Sequence, residues 1–168
     1  MVANIVLIGP PGAGKTSVAK TLARKRGSKF VDTDSLIEAR TGKKISEIFL
    51  DDGEERFREI ERVVVLETLR GENEIVALGG GSVLNEEVQS VLETLPHVIF
   101  LDVSLSNAGP RVGFNRERPL LLGNPRAQWN SLMEKRRPIY ERLAKITVST
   151  DNKKPDEVAE EILQKVGL

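Results

Sequence analysis

The chain has 168 residues, a length that suits one domain with a buried core. Its 25 basic and 25 acidic residues balance, so no overall field attracts nucleic acid or an anionic membrane. Cysteine is absent, which excludes disulfides, thiolate catalysis and cysteine-ligated zinc. The first four residues lack a basic leader, and the apolar run after them is too short for a membrane span. We therefore expect a single cytoplasmic domain over residues 1–168, with neither a nucleic-acid nor a membrane partner.

Short apolar runs alternate with helical patterns along the chain. The runs predict five strands, at residues 5–8, 30–31, 75–78, 98–101 and 146–148. Apolar spacing and start and stop signals predict helices at 17–26, 54–69, 86–95 and from 155 onward, with a short helical turn at 46–49. Strands that alternate with helices imply a parallel sheet covered on both faces. A ligand should then lie beyond the carboxyl ends of the strands.

The segment GPPGAGKT at residues 9–16 follows the first strand and opens the first helix. It fits the pattern G-x-x-x-x-G-K-[ST] in the context that this pattern requires. Glycines let backbone N–H groups point inward at phosphate oxygens, and the helix N-terminus adds partial positive charge. Lys15 should reach the β- and γ-phosphates, and the Thr16 hydroxyl should bind Mg²⁺. The segment therefore predicts a nucleotide site.

Asp32 and Asp34 follow the second predicted strand. Two carboxylates at positions i and i+2 both reach the expected ligand crevice if the chain stays extended. One can help to hold magnesium while the other accepts a proton from a hydroxyl group. The alternative is that Asp34 or Ser35 caps a helix over residues 36–40.

Three consecutive glycines, Gly79, Gly80 and Gly81, follow the third predicted strand. They permit close approach of backbone to a ligand and leave N–H groups available as donors. A simple turn from strand to helix would need one glycine or two, so we favour a binding role.

Between Asn107 and Arg126 the sequence changes to glycine, proline, arginine and asparagine. A loop of this length in a compact domain is commonly functional, and often it is a lid. The alternative is a solvated excursion at the surface.

Two further segments look like motifs of other phosphate-loop proteins. Asp102 ends an apolar strand, as does the magnesium-holding aspartate of many such enzymes, so it competes with Asp32 for that role. The segment NKKP at 152–155 looks like the guanine-reading motif N-K-x-D of GTPases. Pro155 stands where that motif needs aspartate, which argues against a GTPase.

Taken together, these features resemble the shikimate kinases, in the nucleoside-monophosphate-kinase-like branch of phosphate-loop folds. The likeness extends over nearly the whole chain in the expected order. Besides residues 9–16, the matching positions are Asp32 to Asp34, Thr41-Gly42 with 45–49, Asp52 to Glu54, Phe57-Arg58, Glu61, Gly79 to Gly81, Arg118 to Leu121, and Arg136 with Pro138 and Tyr140. The D-T-D, F-R, G-G-G and R-P-L-L segments in this order are far more discriminating than the phosphate loop alone.

The resemblance implies a three-layer α/β fold: a parallel sheet of about five strands with helices on both faces. It implies a substrate-binding region at about 33–61 and a mobile lid at about 109–124. The implied reaction transfers the γ-phosphate of ATP, with Mg²⁺, to the 3-hydroxyl of shikimate, a step in the synthesis of chorismate and the aromatic amino acids. Nothing in the sequence indicates an obligate oligomer, and we expect a monomer.

The resemblance also implies individual roles, carried over position by position. ATP would contact Gly12, Ala13, Gly14, Lys15, Thr16, Ser17, Arg111, Arg118, Lys153 and Pro155. Shikimate would contact Asp34, Arg58, Gly79, Gly80, Gly81 and Arg136. Thr16 would bind the metal and Asp32 would assist it through water, which leaves Asp102 an ordinary strand-end residue. The catalytic residues would be Lys15, Asp34 as the base, and Arg118 at the transferring phosphate.

Alternatives remain at several of these positions. Arg58 is also placed to pair with Glu54 or Glu61 on the same helix, and Arg136 lies in a charged cluster with Arg137. Lys153 stands where the family frequently has arginine. Whether Arg116 shares the role of Arg118 stays open. The rival functions are another small-molecule kinase of the gluconate type and a non-catalytic nucleotide-binding switch.

Overall fold

The computed structural model describes residues 3–112 and 124–168, with residues 110–112 described by their backbone only. Within these residues, five strands occupy β1 Ile5–Ile8, β2 Lys29–Asp32, β3 Glu74–Ala77, β4 Val98–Asp102 and β5 Ile146–Ser149. Each boundary lies within one residue of its prediction. The predicted strands are confirmed because a buried parallel strand is apolar on both faces and leaves an uninterrupted apolar run.

All four pairings between the strands are parallel, and the order across the sheet is β2-β3-β1-β4-β5. The central strand β1 therefore lies between β3 and β4, with Leu7 opposite both Ala77 and Ile99. This order brings the carboxyl ends of β2, β3 and β1 together along one edge of the sheet. A ligand site is expected at that edge.

Helices cover the sheet. The described ones are α1 Lys15–Arg26, α2 Thr33–Thr41, α3 Ile45–Leu69, α4 Glu86–Thr94, α5 Leu105–Val112, α6 Pro125–Leu143 and α7 Pro155–Val166, with a 3₁₀ turn at Ser82–Leu84. Helix α1 packs beside α7, whereas α4 contacts both α3 and α6. The predicted α/β fold with a five-stranded parallel sheet is confirmed. In the described part of the chain, every helix is too short or too polar to cross a membrane.

The apolar residues form two separate clusters. The larger one holds the strands together with the inner faces of α1, α4, α6 and α7. The smaller one contains Ile37, Ile48, Phe57 and Val64 and joins α2 to α3. The region that carries Asp34 and Arg58 therefore has a core of its own beside the sheet.

Helix α3 is interrupted at Gly53, whose φ of 86° and ψ of 165° are not helical. The sequence predicts a short helical turn before this point and a long helix from Glu54, and the structure agrees with both. The break separates an amino-terminal part, residues 45–52, from the part that carries Arg58.

Two helices depart from the prediction that residues 107–126 are irregular. Helix α5 continues to Val112, and α6 begins at Pro125, where the side chain of Asn124 accepts a hydrogen bond from the Ala127 N–H at 3.2 Å. Proline is well suited to the first position of a helix because the missing N–H would have no partner there. The remainder of the expected lid, residues 113–123, lies outside the described residues.

Candidate active site

The phosphate loop connects β1 to α1 in a conformation that requires glycine. A Cβ atom on Gly9 would lie 2.6 Å from the carbonyl oxygen of Leu101, and Gly14 adopts a left-handed conformation (φ 86°, ψ 22°) just before α1. The ammonium group of Lys15 donates to the carbonyl oxygens of Gly9 at 2.8 Å and Pro10 at 3.0 Å. Lys15 is thereby held against the loop whose N–H groups are expected to surround phosphate.

Thr16 and Asp32 meet at the start of α1 and the end of β2. The Thr16 hydroxyl donates to one carboxylate oxygen of Asp32 at 2.5 Å. The other oxygen of Asp32 accepts from the Ser35 N–H at 3.1 Å and caps α2. The chain therefore turns into a helix directly after Asp32 instead of staying extended, and neither Asp34 nor Ser35 is the cap of α2.

These two residues fit a magnesium site by their chemistry, because a hydroxyl and a carboxylate are oxygen ligands of the kind that Mg²⁺ prefers. Within the described ranges, no group of three acidic, histidine or cysteine side chains is arranged to hold a metal. A magnesium ion that takes one or two protein oxygens and completes its shell with phosphate and water needs no such cluster.

A cavity of about 420 Å³ opens beside the phosphate loop. It is lined by the loop, by Asp32 and Asp34, by α2 and the start of α3, and by the end of β3. Glu38, Lys44 and Ser46 also line it and were not singled out from the sequence. Glu38 and Lys44 belong to no motif, and Ser46 entered only with the family match at 45–49; the packing of α2 and of the start of α3 beside the loop reveals their place.

The glycine turn after β3 lies against two carboxylates. The Gly79 N–H donates to the Thr33 hydroxyl at 3.0 Å. A Cβ atom on Gly79 would lie 2.5 Å from Asp34 Oδ1 and 3.1 Å from Glu61 Oε2. Glycine is therefore required at position 79 for the Asp34 side chain to lie where it does.

The next two glycines lie against two guanidinium groups. A Cβ atom on Gly81 would overlap the guanidinium of Arg58, and one on Gly80 would lie 3.4 Å from Arg136 Nη1. Arg136 is only 4% exposed, although it is charged. The structure thus brings together the predicted acceptor-site residues around one backbone turn.

Glu61 joins this group, and the sequence identified it only as a family match and a helix partner. It is 3% exposed, and its Oε1 accepts from Arg58 Nη1 at 2.7 Å. Burial raises the pKa of the Glu61 carboxyl above its ordinary value, while Arg58 opposes that rise and the nearby charge of Asp34 adds to it. Glu54 lies 3.7 Å from Arg58 Nη2, so the predicted helix pairs are both present beside the glycine turn.

A second cavity, of about 220 Å³, also borders the phosphate loop. Ala13, Gly14, Ser17, Lys153 and Pro155 are among its lining residues, as expected for a nucleotide base next to the loop. The Lys153 ammonium is 3.2 Å from Glu161 Oε1.

The side chains of three arginines in the predicted lid are not among those that the structure describes. Arg111 belongs to α5, where only the backbone is described. Arg116 and Arg118 lie outside the described residues.

Comparison with known proteins gives one consistent family. The family model described as shikimate kinase matches residues 11–167. A shikimate kinase of Thermobifida fusca (strain YX) is 50% identical over 161 residues, covering 96% of this chain and 93% of the relative. The solved structure of a shikimate kinase from Acinetobacter baumannii in complex with shikimate superposes with a TM-score of 0.95 at 34% identity, covering 99% of this chain and 93% of that chain. A shikimate kinase structure from Aquifex aeolicus gives 0.82 at 33% identity, with coverage of 98% and 96%.

Proposed function

Because this chain belongs to the shikimate kinase family, which transfers the γ-phosphate of ATP to the 3-hydroxyl of shikimate, we propose how its side chains carry out that reaction. The products are shikimate 3-phosphate and ADP, and the reaction serves the synthesis of chorismate and the aromatic amino acids. The observation that carries the assignment of roles is the convergence of Asp34, Arg58 and Arg136 on the glycine turn next to the phosphate loop.

The phosphate loop holds ATP. The loop N–H groups and the Lys15 ammonium bind the phosphates, and Lys15 exchanges the carbonyls of Gly9 and Pro10 for phosphate oxygens. Thr16 would supply a ligand for Mg²⁺, and Asp32, which accepts from that hydroxyl, would orient it and assist the metal through water. Magnesium, when bound, offsets the negative charge that the phosphate oxygens carry. The smaller cavity beside Lys153 and Pro155 receives the adenine.

Asp34 acts as the general base. Its carboxylate lies against Gly79 at the boundary between the acceptor site and the phosphate cavity that it also lines. The shikimate 3-hydroxyl gives its proton to Asp34 while its oxygen forms the new bond to the γ-phosphorus. The bond between the γ-phosphorus and the bridging oxygen breaks, and the electron pair leaves with ADP.

Arg58 and Arg136 hold the carboxylate of shikimate. A guanidinium offers two parallel N–H groups that match a carboxylate, which a lysine cannot do. Glu61 receives one N–H of Arg58 and fixes the orientation of that side chain. The backbone of Gly80 and Gly81 lies within reach because neither residue has a side chain.

The remaining assignments depend on the sequence resemblance. We propose that Arg118 contacts the transferring phosphate and that Arg111 flanks the adenine. We also propose that the lid spans about residues 109–124, and that the chain works as a cytoplasmic monomer.

An assay of ADP release across several acceptors tests the function. With Mg²⁺ and ATP present, we expect turnover with shikimate and none with gluconate or nucleoside monophosphates. Phosphorylation of gluconate at a comparable kcat/KM would contradict the acceptor assignment. Nucleotide binding without any acceptor-dependent turnover would instead indicate a switch.

A further inference from the structure

Asp102 ends β4 and is paired with Arg137, the residue next to Arg136. Arg137 Nη2 is 2.8 Å from Asp102 Oδ1, and Nη1 is 3.1 Å from Oδ2, so the guanidinium and the carboxylate form a bidentate ion pair with two hydrogen bonds. Arg137 Nη1 also lies 3.5 Å from Glu141 Oε1. The Asp102 carboxylate raises the pKa of the Arg137 guanidinium further above its ordinary value. The Arg137 guanidinium therefore remains charged.

Contacts lead from this pair to the glycine turn. The Arg137 guanidinium lies over the ring of Phe100, 5.6 Å from its centre. Phe100 stacks on Tyr140, with ring centres 5.1 Å apart, and both residues are fully buried. The Tyr140 hydroxyl donates to the carbonyl oxygen of Gly80 at 2.6 Å. One face of α6 thus joins the end of β4 to the backbone that the acceptor is expected to touch.

Helix geometry links the direction of the Arg136 side chain to that of Arg137. Consecutive residues of an α-helix point about 100° apart, so fixing one side chain to the sheet sets the direction of the next. Pro138 follows directly and lacks the N–H that would bond to the Glu134 carbonyl, so the backbone is less constrained here. Anchoring by side chains has correspondingly more influence on where the Arg136 guanidinium lies.

The pairing with Arg137 also argues against a magnesium-binding role for Asp102. A strand-end aspartate in this position is a candidate to hold magnesium, but both of its oxygens here accept from Arg137. The cavity beside Thr16 is lined by Asp32 and, among the described residues, not by Asp102. Asp102 therefore faces α6 and not the phosphate side of the site.

We propose that Asp102 and Arg137 are positioning residues which fix α6 and so aim Arg136, together with the Gly80 backbone held by Tyr140, at the carboxylate of shikimate. The proposal depends on the role of Arg136 in acceptor binding given above. It predicts that loss of the pair weakens shikimate binding and leaves ATP binding nearly unchanged.

Four variants test the pair. Arg137→Ala and Asp102→Asn should each raise the KM for shikimate by about five- to tenfold, the effect of roughly 1 kcal/mol from a well-aligned ion pair, with the KM for ATP changed less than twofold. The dissociation constant of shikimate, measured by calorimetry without nucleotide, should rise equally. The double variant should be no worse than either single one, because both remove the same interaction. Arg137→Lys keeps the positive charge but cannot form the bidentate pair, so its affinity for shikimate should lie between those of Arg137→Ala and the wild type.

Arg142→Ala is the matched control. Arg142 lies on the same helix and pairs with Glu93 and Gln89, at a comparable exposure and away from the glycine turn. Its loss should leave the affinity for shikimate unchanged. Urea unfolding of all variants identifies any effect that comes from lost folding, and Asp102→Asn retains the shape of the side chain if Arg137→Ala does not fold.

The outcomes separate this proposal from the proposed function. If Arg136→Ala weakens shikimate binding and Arg137→Ala does not, the positioning role is wrong and the acceptor site stands. If Asp102→Asn raises the KM for ATP with magnesium and leaves that for shikimate unchanged, Asp102 serves the metal, and the proposal is overturned. If Arg136→Ala itself leaves shikimate affinity intact, the proposed acceptor site fails and the positioning role fails with it.

Discussion

Two carboxylates, Asp34 and Glu61, lie against the same glycine, yet their surroundings suit them to different tasks. Asp34 is half-buried and lines the phosphate cavity, whereas Glu61 is buried and bound to Arg58. A carboxylate that opens onto the cavity can exchange a proton with a hydroxyl. A buried one that holds an arginine cannot do so without losing its partner.

We predict that Asp34→Asn lowers kcat by about 10²-fold or more, the scale of general base catalysis. The melting temperature should change little, because Asp32 and not Asp34 caps α2. Steady-state kinetics and thermal unfolding measure the two effects separately. Asp51→Asn is the control, because Asp51 is an exposed carboxylate paired with Lys43, and this variant should keep the wild-type kcat. A large loss of stability with normal turnover would show a structural role for Asp34.

The pH dependence of stability should carry the signature of Glu61. Its raised pKa means that the folded chain binds this proton more tightly than the unfolded chain does, so stability falls as pH rises from the ordinary value of 4.5 through the raised pKa. Glu61→Gln cannot ionise and should therefore be more stable than the wild type at neutral pH. The difference should vanish as the pH falls towards 4.5.

Urea unfolding at a series of pH values measures this difference, and one unit of pKa corresponds to roughly 1.4 kcal/mol. Glu67→Gln on the same helix is the control, because Glu67 is exposed and pairs with Arg40. It should give no such trend. A Glu61→Gln variant less stable than the wild type at neutral pH would mean that the ion pair with Arg58 outweighs the cost of burial.

At the scale of elements, the break in α3 separates residues that line the cavity from Arg58, which we propose binds the acceptor. Ile45 and Ser46, which line the cavity, precede Gly53, and Arg58 follows it. The conformation of Gly53 belongs to a region that is nearly restricted to glycine. Apart from the residues adjoining Gly53 and the nearby backbone of its own helix, no atom of the described residues lies within 4 Å of a Cβ added there, so strain of the backbone is the main penalty.

Gly53→Asn should lower the free energy of unfolding by about 1–3 kcal/mol, the usual cost of such backbone strain. The control is Gly27→Asn at the end of α1, where φ is 64° and ψ is 32°. Asparagine tolerates that left-handed conformation, and a Cβ atom there also meets open space. Equal losses at the two glycines would mean that Gly53 is not strained beyond an ordinary helix end.

The strands could be predicted from the sequence because each is short, apolar and buried on both faces, but α6 could not. Its buried positions, Trp129, Met133, Arg136, Tyr140 and Leu143, do follow helical spacing. Charged Arg136 in the middle of this series and Pro138 after it make the helical pattern hard to recognise in the sequence. Read as a helix, the same spacing distinguishes buried Arg136 from its neighbours, a choice that otherwise needed the family resemblance.

At the scale of the whole molecule, the order of the strands creates the site. Because β1 lies beside β3 and β3 beside β2, the phosphate loop, Asp32 and the glycine turn become neighbours, although Gly9 and Gly79 are 70 positions apart in the sequence. The same holds for the charged pairs. The pair Arg58–Glu61 of α3 packs against the glycine turn, and Asp102 of β4 pairs with Arg137 of α6. The motifs predict which strand ends carry chemistry. Only tertiary packing determines which side chains meet there.

The small apolar cluster of α2 and α3 should open more readily than the sheet. Four buried residues form it, whereas the strands lie in a far larger core, and local stability follows buried apolar contact. We predict that amides of α2 and of residues 45–52 exchange hydrogen faster than those of β1 and β4. Shikimate alone should slow exchange in α2 and α3 and leave α7 unchanged. Uniform protection of all helices by shikimate would contradict an independent opening of this region.

The single tryptophan of the chain, Trp129, lies on the same helix as Arg136, the proposed shikimate-binding arginine, and touches the phosphate loop. The Trp129 indole N–H donates to the carbonyl oxygen of Pro11 at 3.2 Å, and the residue is 5% exposed. Light absorbed near the red edge of the protein spectrum is therefore taken up by one indole whose hydrogen-bond partner belongs to the nucleotide site. The molecule therefore contains its own fluorophore between the proposed nucleotide and shikimate sites, so the order in which the two substrates bind can be followed on the unlabelled protein.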